Sequence, residues 1–360
     1  MEIGFFTMPL HPPGSDITKT FDDDLDQIVS LDKWGYKEAW IGEHFTSEWE
    51  NIPNPDLFIA NLIARTNNIM LGTGVNCLPN HEPFMLAHRI AQLDHMAHGR
   101  FLWGIGAGAY VGDCEVFGYD PSTEENRKMF RDTIDVILKI WQDPDPGVYE
   151  KWNWSFKVPE PLESAGLRLH LKPYQKPHPP IAVGGVSPYS STLALAGERG
   201  WIPMSINVVP TRVLKTHWEA VERGASTTGL TPNRAEWRIC RDVYVAETTE
   251  QARKEALEGV LTRDFQRYFL PLFADRNLTS LAKENPDMPD SDLTAEYLMD
   301  NIWVVGSPDD VADKLRTLHH DVGGFGTLLA MGHEWEPKEK WTNSMIMLVN
   351  EVMPKLADLT

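Results

Sequence analysis

Short apolar runs recur along the chain, and each closes on small or polar residues. They begin at Glu2 (EIGFFTM), Glu38 (EAWIGEH), Asn68 (NIMLGTGV), Arg100 (RFLWGIGAG), Pro180 (PIAVGG), Ile202 (IPMSI), Trp237 (WRICRDVYVAE) and Gly324 (GFGTLLAMG). Runs bounded in this way predict buried strands. Between several of them lie segments of helical period. In FDDDLDQIVSLDKWG, the residues Phe21, Leu25, Ile28 and Val29 share one face. In GSPDDVADKLRTLHH, Ser307 predicts an N-cap and Pro308 the first helical residue, with Asp309 and Asp310 in the first turn. Val311, Leu315 and Leu318 then make the apolar stripe.

The first four runs start roughly one βα unit of ~30 residues apart. Apolar runs alternating with helices predict an α/β fold, a (β/α)8 TIM barrel, as a single domain over residues 1–360. Two intervals, about residues 109–179 and 270–300, are longer than such a unit requires. Long polar insertions in a compact domain tend to be functional. Both are expected above the C-terminal ends of the strands, the second as a lid whose low apolar content buries little. No internal repeat and no low-complexity tract is found.

At 360 residues the chain is long enough for one large core. Hydrophobic residues at 42% and charged residues at 24% are usual for a globular protein. The formal charge of -19 argues against nucleic acid and against anionic membrane surfaces as partners. Any bound phosphate must then be held by local groups rather than by a positive field. Cys77, Cys114 and Cys240 form no CxxC pattern and point to a reducing, cytoplasmic compartment. The opening MEIGFFTMPLHPPG lacks the basic start and long apolar core of a signal peptide, and no apolar run approaches ~18 residues, so no membrane span is expected.

In a barrel, chemistry gathers where the strands end. Those ends collect Thr7 and Met8, Glu43 and His44, Thr73 to Asn76, Gly106 to Gly108, Gly184 to Ser187, and Ser205. His44 is the imidazole among them, a candidate for proton chemistry with packing as the alternative. GIGAGAY (Gly104 to Tyr110) approaches the G-x-G-x-x-G/A fingerprint, but βα units precede it and no amphipathic helix follows at once. Its glycines suit close approach to a flat ligand or a neighbouring loop, or a bare turn. GGVSPYSSTLALAGERG leads a glycine-ended strand through Ser187, Ser190 and Ser191 into a helix, as a phosphate site does. Ordinary serine capping is the alternative there. His88, His95 and His98 fall on one predicted helix without HExxH spacing, which reads as solvated surface, and no metal is expected. The 13 tryptophans could suit sugar stacking, yet Glu43 stands alone among strand ends, without the carboxylate pair of a glycosidase.

The stretches IGFFTMPLHPP, GYKEAWIGEHF, NIMLGTGVNCLPNHEPFMLAHRIAQLDHMAHGRFLWGIGAG, PIAVGG with LAGERGWIPMS, VVGSPDDVADKL and EVMPKL resemble the bacterial luciferase-like flavin monooxygenases. Together they cover most of the chain outside the two long intervals. WENIPNPDLFIA and GIGAGAY resemble the diketocamphane and limonene monooxygenase branch. The resemblance implies a barrel enzyme that receives reduced FMN (FMNH2) from a separate NAD(P)H:flavin reductase. It further implies that O2 adds to the flavin as a (hydro)peroxide, from which one oxygen atom enters an organic substrate.

Carried over by residue, the family's active-site histidine falls on His44, with Glu43 orienting the ring or shaping the pocket floor. The non-proline cis peptide beneath the isoalloxazine falls on Gly74-Val75, with Met8 and Asn76 also in the cofactor site. The phosphate turn falls within Gly185, Val186, Ser187, Tyr189, Ser190 and Ser191, and is longer than in luciferase. Luciferase has Cys-Arg where this chain has Gly106-Ala107, so the serine-rich turn carries more of the phosphate. The resemblance also implies a small apolar substrate, Baeyer–Villiger insertion ahead of hydroxylation, and a homodimer. The rivals are a deazaflavin-dependent dehydrogenase of the same superfamily and a non-catalytic flavin-binding protein. Retention of His44 and of both long insertions argues against the latter.

Overall fold

Strands covered on both faces need near-continuous apolar sequence, and each predicted run supplies one. The computed structural model describes residues 1–359 apart from Pro9, Ser122 and Asn207. Its barrel strands are β1 (Glu2–Thr7), β2 (Glu38–Ile41), β3 (Met70–Thr73), β4 (Phe101–Gly106), β5 (Ile181–Gly185), β6 (Ile202–Ser205), β7 (Arg238–Arg241) and β8 (Thr327–Met331). They run parallel in the order β3-β2-β1-β8-β7-β6-β5-β4. Pairing of Leu71 with Phe101 and Gly72 with Leu102 joins β3 to β4 and closes the barrel. The fold is the expected (β/α)8 barrel.

The outer ring consists of α1 (Ile17–Trp34), α2 (Pro55–Ile63), α3 (Pro83–Met96), α4 (Glu125–Ile140), α5 (Ser191–Arg199), α6 (Thr211–Ser226), α7 (Pro308–Val322) and α8 (Lys338–Met347). In α7 the Ser307 hydroxyl accepts from the Asp310 amide, and Val311, Leu315 and Leu318 are buried, as the pattern predicts. In α1 the stripe buries Leu25 and Ile28 and leaves Phe21 and Val29 half-buried. The same helix also buries Asp32, whose carboxylate takes the amides of Asn67, Asn68 and Ile69 at 2.8–2.9 Å.

Four expectations need correction. The run from Trp237 divides: after β7, Val243–Val245 leaves the barrel and pairs in parallel with Val304–Gly306, a strand too short to stand out in sequence. The interval 109–179 is not one excursion above the strands, because it contains the ring helix α4, whose buried Met129, Phe130, Ile134 and Ile137 are diluted by charge. Its hairpin, Gly147–Lys151 with Trp154–Val158, packs beside α3 and α4 through Phe156 on Phe84 (5.3 Å) and Lys139 over Tyr149 (5.1 Å). The interval 270–300 is packed, burying Phe273, Ala282, Leu293, Ala295, Leu298 and Met299, which are spaced too irregularly to make a visible stripe. Arg212, at the start of α6, donates to the carbonyls of Ser280 and Lys283, both at 2.8 Å, which sets this segment on the rim of the C-terminal face. Finally, α3 ends at Met96, so His98 lies beyond it, while His88 and His95 bond to the carbonyls of Phe84 and Lys172.

Candidate active site

His44 follows β2 on the C-terminal face, where its amide donates to the Ile52 carbonyl at 3.1 Å. Nδ1 meets Asp113 Oδ2 at 3.1 Å, and Nε2 meets Glu50 Oε2 at 2.9 Å. The Tyr110 ring stands edge-on at 4.8 Å. Asp113 comes from a short helix, Val111–Val116, and its other oxygen accepts from the amides of Phe45 (3.1 Å) and Thr46 (2.9 Å) and from the Thr46 hydroxyl (2.7 Å). Glu50 also accepts from the Tyr268 hydroxyl, and Tyr268 stacks on Trp49 at 5.6 Å. Burial opposes charge on His44, but Glu50 and Asp113 more than offset it and raise its pKa to about 10. At neutral pH the ring is therefore an imidazolium, a donor at both nitrogens. Hydrogen bonds from His44 and Thr46 outweigh burial at Asp113 and hold that carboxyl below its usual range.

One reading of the sequence changes here. Glu43 does not orient the His44 ring, and beside this strand-end carboxylate loops and helix starts bring in Glu50, Asp56 and Asp113. Glu43 instead accepts from Asn76 Nδ2 (3.2 Å), the Cys77 amide (3.3 Å) and His81 Nε2 (2.8 Å). His81 Nδ1 accepts from Arg89 at 3.2 Å, which fixes its tautomer, and Arg89 also binds Asp56 at 2.9 Å. Asn76 is fully buried and spends its side chain on Glu43, Asp56 and Trp103, so it offers no side-chain group to a ligand. This network pins the chain just after Gly74-Val75, whose peptide is cis, as the resemblance implies.

The half-buried Val75 side chain lies beside Gly106 and Gly184, near the C-terminal ends of β4 and β5. A Cβ on Gly106 would lie 2.5 Å from Val75 Cγ2, so glycine is what admits the valine there. One on Gly184 would lie 3.0 Å from Ile206 Cδ1 and 3.6 Å from Val75 Cγ1, so the two side chains converge into an apolar floor. Met8, at the end of β1, packs against Gly42, and the carbonyl of buried Ala107 accepts from Asn126 at 3.3 Å. Ile206 closed the run IPMSI without being singled out for the site, and Asn126 carried no signal in the sequence, being a single residue without a motif.

The serine turn divides its roles. Ser190 is buried, caps α5 by accepting from the Leu193 amide, and bonds Thr192 Oγ1 at 2.8 Å. Ser187, Tyr189 and Ser191 are exposed, Val186 is half-buried and Gly185 is buried. The turn is seated on α6. There His217 Nε2 donates to the carbonyls of Val186 (3.2 Å) and Ser187 (3.1 Å), and Thr216 Oγ1 accepts from the Tyr189 amide (3.1 Å). Burial lowers the His217 pKa to about 4, so that ring is neutral and takes the Ser205 hydroxyl on Nδ1 at 2.9 Å.

The sequence profile of the luciferase-like monooxygenases matches residues 1–324. The chain belongs to that family. It is 32% identical over 373 residues to 3,6-diketocamphane 1,6-monooxygenase of Pseudomonas putida, covering 99% of this chain and 98% of that one. It is 30% identical over 356 residues to limonene 1,2-monooxygenase of Rhodococcus erythropolis, covering 98% and 86%. Among solved structures it is similar to the oxygenating constituent of the Pseudomonas putida 3,6-diketocamphane monooxygenase, a type II Baeyer-Villiger monooxygenase in complex with FMN. That likeness has a TM-score of 0.91 at 33% identity, over 99% of both chains. This luciferase-like protein is thus a flavin-dependent monooxygenase. No helix among its described residues is long and apolar enough to cross a membrane.

Proposed function

We propose that this luciferase-like monooxygenase is the oxygenase half of a two-component system. It takes FMNH2 from a separate NAD(P)H:flavin reductase and inserts one atom of O2 beside the carbonyl of a small, largely apolar ketone. The observation that carries the reading is His44, clamped at the barrel mouth between the carboxylates of Glu50 and Asp113. The residues present suit FMN. Val75, Ile206 and Met8 offer apolar surface to a flat ring, while Ser187, Ser191 and the first amides of α5 offer donors to a phosphate.

When bound, reduced FMN supplies the electrons that activate O2. The chain's own residues do the rest. The His44 imidazolium donates to the ketone oxygen as the reacting oxygen, and a fixed cation there stabilises the negative charge that addition to the carbonyl develops on it. Such charge belongs to nucleophilic attack on a carbonyl, which favours ester or lactone formation over hydroxylation. Asp113 keeps Nδ1 fixed, and Trp49, Tyr110 and Tyr268 exclude water around the ring. The segment of about residues 270–300, tied to the rim through Ser280 and Lys283, is the candidate lid. Exposed Leu57 on α2 and Met85 on α3 suit burial in a homodimer, and the cysteine content suits the cytoplasm.

Purified protein, a flavin reductase, NADH, FMN and a bicyclic ketone should yield the lactone, read by mass spectrometry, and no product without the reductase. A hydroxyketone without lactone would overturn the insertion. Oxygen-independent turnover with a deazaflavin would overturn the monooxygenase reading. His44→Ala should still bind FMNH2 and consume it with O2. Its product yield should fall by roughly 10²–10⁴-fold, with hydrogen peroxide released instead.

A further inference from the structure

The two carboxylates that clamp His44 are not equivalent. Asp113 is anchored by three donors besides the ring, all from Phe45 and Thr46 of the loop that carries His44. Glu50 is held through one oxygen by Tyr268. Its other oxygen, Oε2, is buried and lies 2.9 Å from His44 Nε2, yet no aligned hydrogen bond reaches it. The contact is an ion pair with poor directionality, and the oxygen still needs a donor. A histidine whose two nitrogens both lie against carboxylates leaves a ligand no room at either nitrogen. One contact must therefore yield before His44 can act, and the anchored one is Asp113.

We propose that Glu50 is a positioning residue for His44: it occupies Nε2 until the oxygen of a bound ligand replaces it, and Tyr268 sets where its carboxylate can go. This rests on the reading of His44 as the donor to the reacting oxygen. Tyr268 lies in a π-helical turn, Phe265–Phe269, in the middle of a helical stretch from Val260 to Asp275. Inserting one extra residue per turn rotates the side chains that follow, and such turns concentrate at functional sites. Here the turn directs Tyr268 onto Glu50 rather than leaving it on the helix surface, with Trp49 stacked beneath it. The same stretch continues into the segment that covers the rim, so the carboxylate is tied by one hydroxyl to the cover of the site. The titratable groups around the ring are Glu50 from its own loop, Asp113 and Tyr110 from the short-helix side, and Tyr268 behind Glu50.

The test follows the His44 ring directly, in the protein without flavin, by NMR titration of the imidazole assigned against His44→Gln. In the wild type the ring should stay protonated past about pH 9. In Glu50→Gln, which keeps size and loses charge, its midpoint should fall by at least about one unit, a tenfold change in proton affinity. In the reductase-coupled assay, product formed per FMNH2 oxidised should then fall about 2-fold or more between about pH 7 and 9 in Glu50→Gln, and stay nearly flat in the wild type. Tyr268→Phe buries no new polar group and keeps the Glu50 charge. It should leave the titration high yet lower product per FMNH2 several-fold at every pH, with no further loss when combined with Glu50→Gln. If Glu50→Gln titrates and behaves as the wild type while His44→Ala loses product, the role of Glu50 is overturned and that of His44 stands. If Tyr268→Phe forms product normally, its part falls. If His44→Ala keeps its product yield, the underlying reading fails, and this proposal with it.

Discussion

Arg238 and Glu38 form a two-bonded ion pair, both contacts at 3.2 Å, across the lumen of the barrel. They open β7 and β2, which are separated by β1 and β8, so the pair spans the N-terminal end of the barrel, away from the active site. Trp40 Nε1 adds a third bond to the same carboxylate at 3.0 Å. Arg238→Ala leaves a buried charge behind and should lower stability by about 3–5 kcal/mol. The double replacement Glu38→Leu/Arg238→Met should recover most of that loss in urea unfolding. A double variant as unstable as the single one would contradict the pair's role.

His333 sits between Asp242 and Asp264, each at 2.8 Å. Burial opposes its charge, but the two carboxylates win and raise it to about 9. His11, beside Asp24 at 3.0 Å and Glu334 at 3.8 Å, is likewise raised to about 9 against burial. The unfolded pKa is about 6.5, so the folded state binds more protons between the two values. The stability these histidines bring is complete below about pH 6.5 and is lost as pH climbs through about 9. The urea midpoint should drop over that window, and His333→Gln should flatten part of the drop. An unchanged pH dependence in the variant would argue against this linkage.

Within the serine turn, hydroxyls already bonded and hydroxyls left exposed should behave oppositely. Ser187→Ala or Ser191→Ala should weaken FMNH2 binding roughly 10-fold, the worth of one charge-assisted bond, and leave riboflavin affinity unchanged. Ser190→Ala removes a helix cap and should instead cost about 1 kcal/mol of stability. Equal losses for FMNH2 and riboflavin would make the turn a structural element alone.

Gly106→Ala puts a methyl where Val75 Cγ2 now lies, 2.5 Å from the new carbon, and should displace the apolar floor. Flavin affinity should fall several-fold while the melting temperature changes little, and Val75→Ala in the same chain should restore part of it. Isothermal titration measures both. A double variant that binds flavin no better than Gly106→Ala alone would separate Val75 from the flavin site.

The barrel was legible in the chain because its evidence is local. Most strands are apolar runs that any tertiary setting would bury, and α7 carries its own cap and stripe within GSPDDVADKLRTLHH. His44 was found for the same reason, as an imidazole one step past such a run. Its charge was not. That depends on Asp113, 69 residues away in the chain, and on Glu50, whose own partner Tyr268 lies 218 residues beyond it. Loop carboxylates have no period and no motif, so nothing along the sequence joins them until the barrel brings their segments to one end. The serine turn divides in the same way. Sequence chemistry marks a helix start there, but only backbone geometry decides that Ser190 turns inward to cap it while Ser187 and Ser191 stay exposed. Which segments become strands follows from burial, which is additive along a chain. The ionisation of the site follows from opposed desolvation and pairing energies, which exist only once the groups share a low-dielectric pocket.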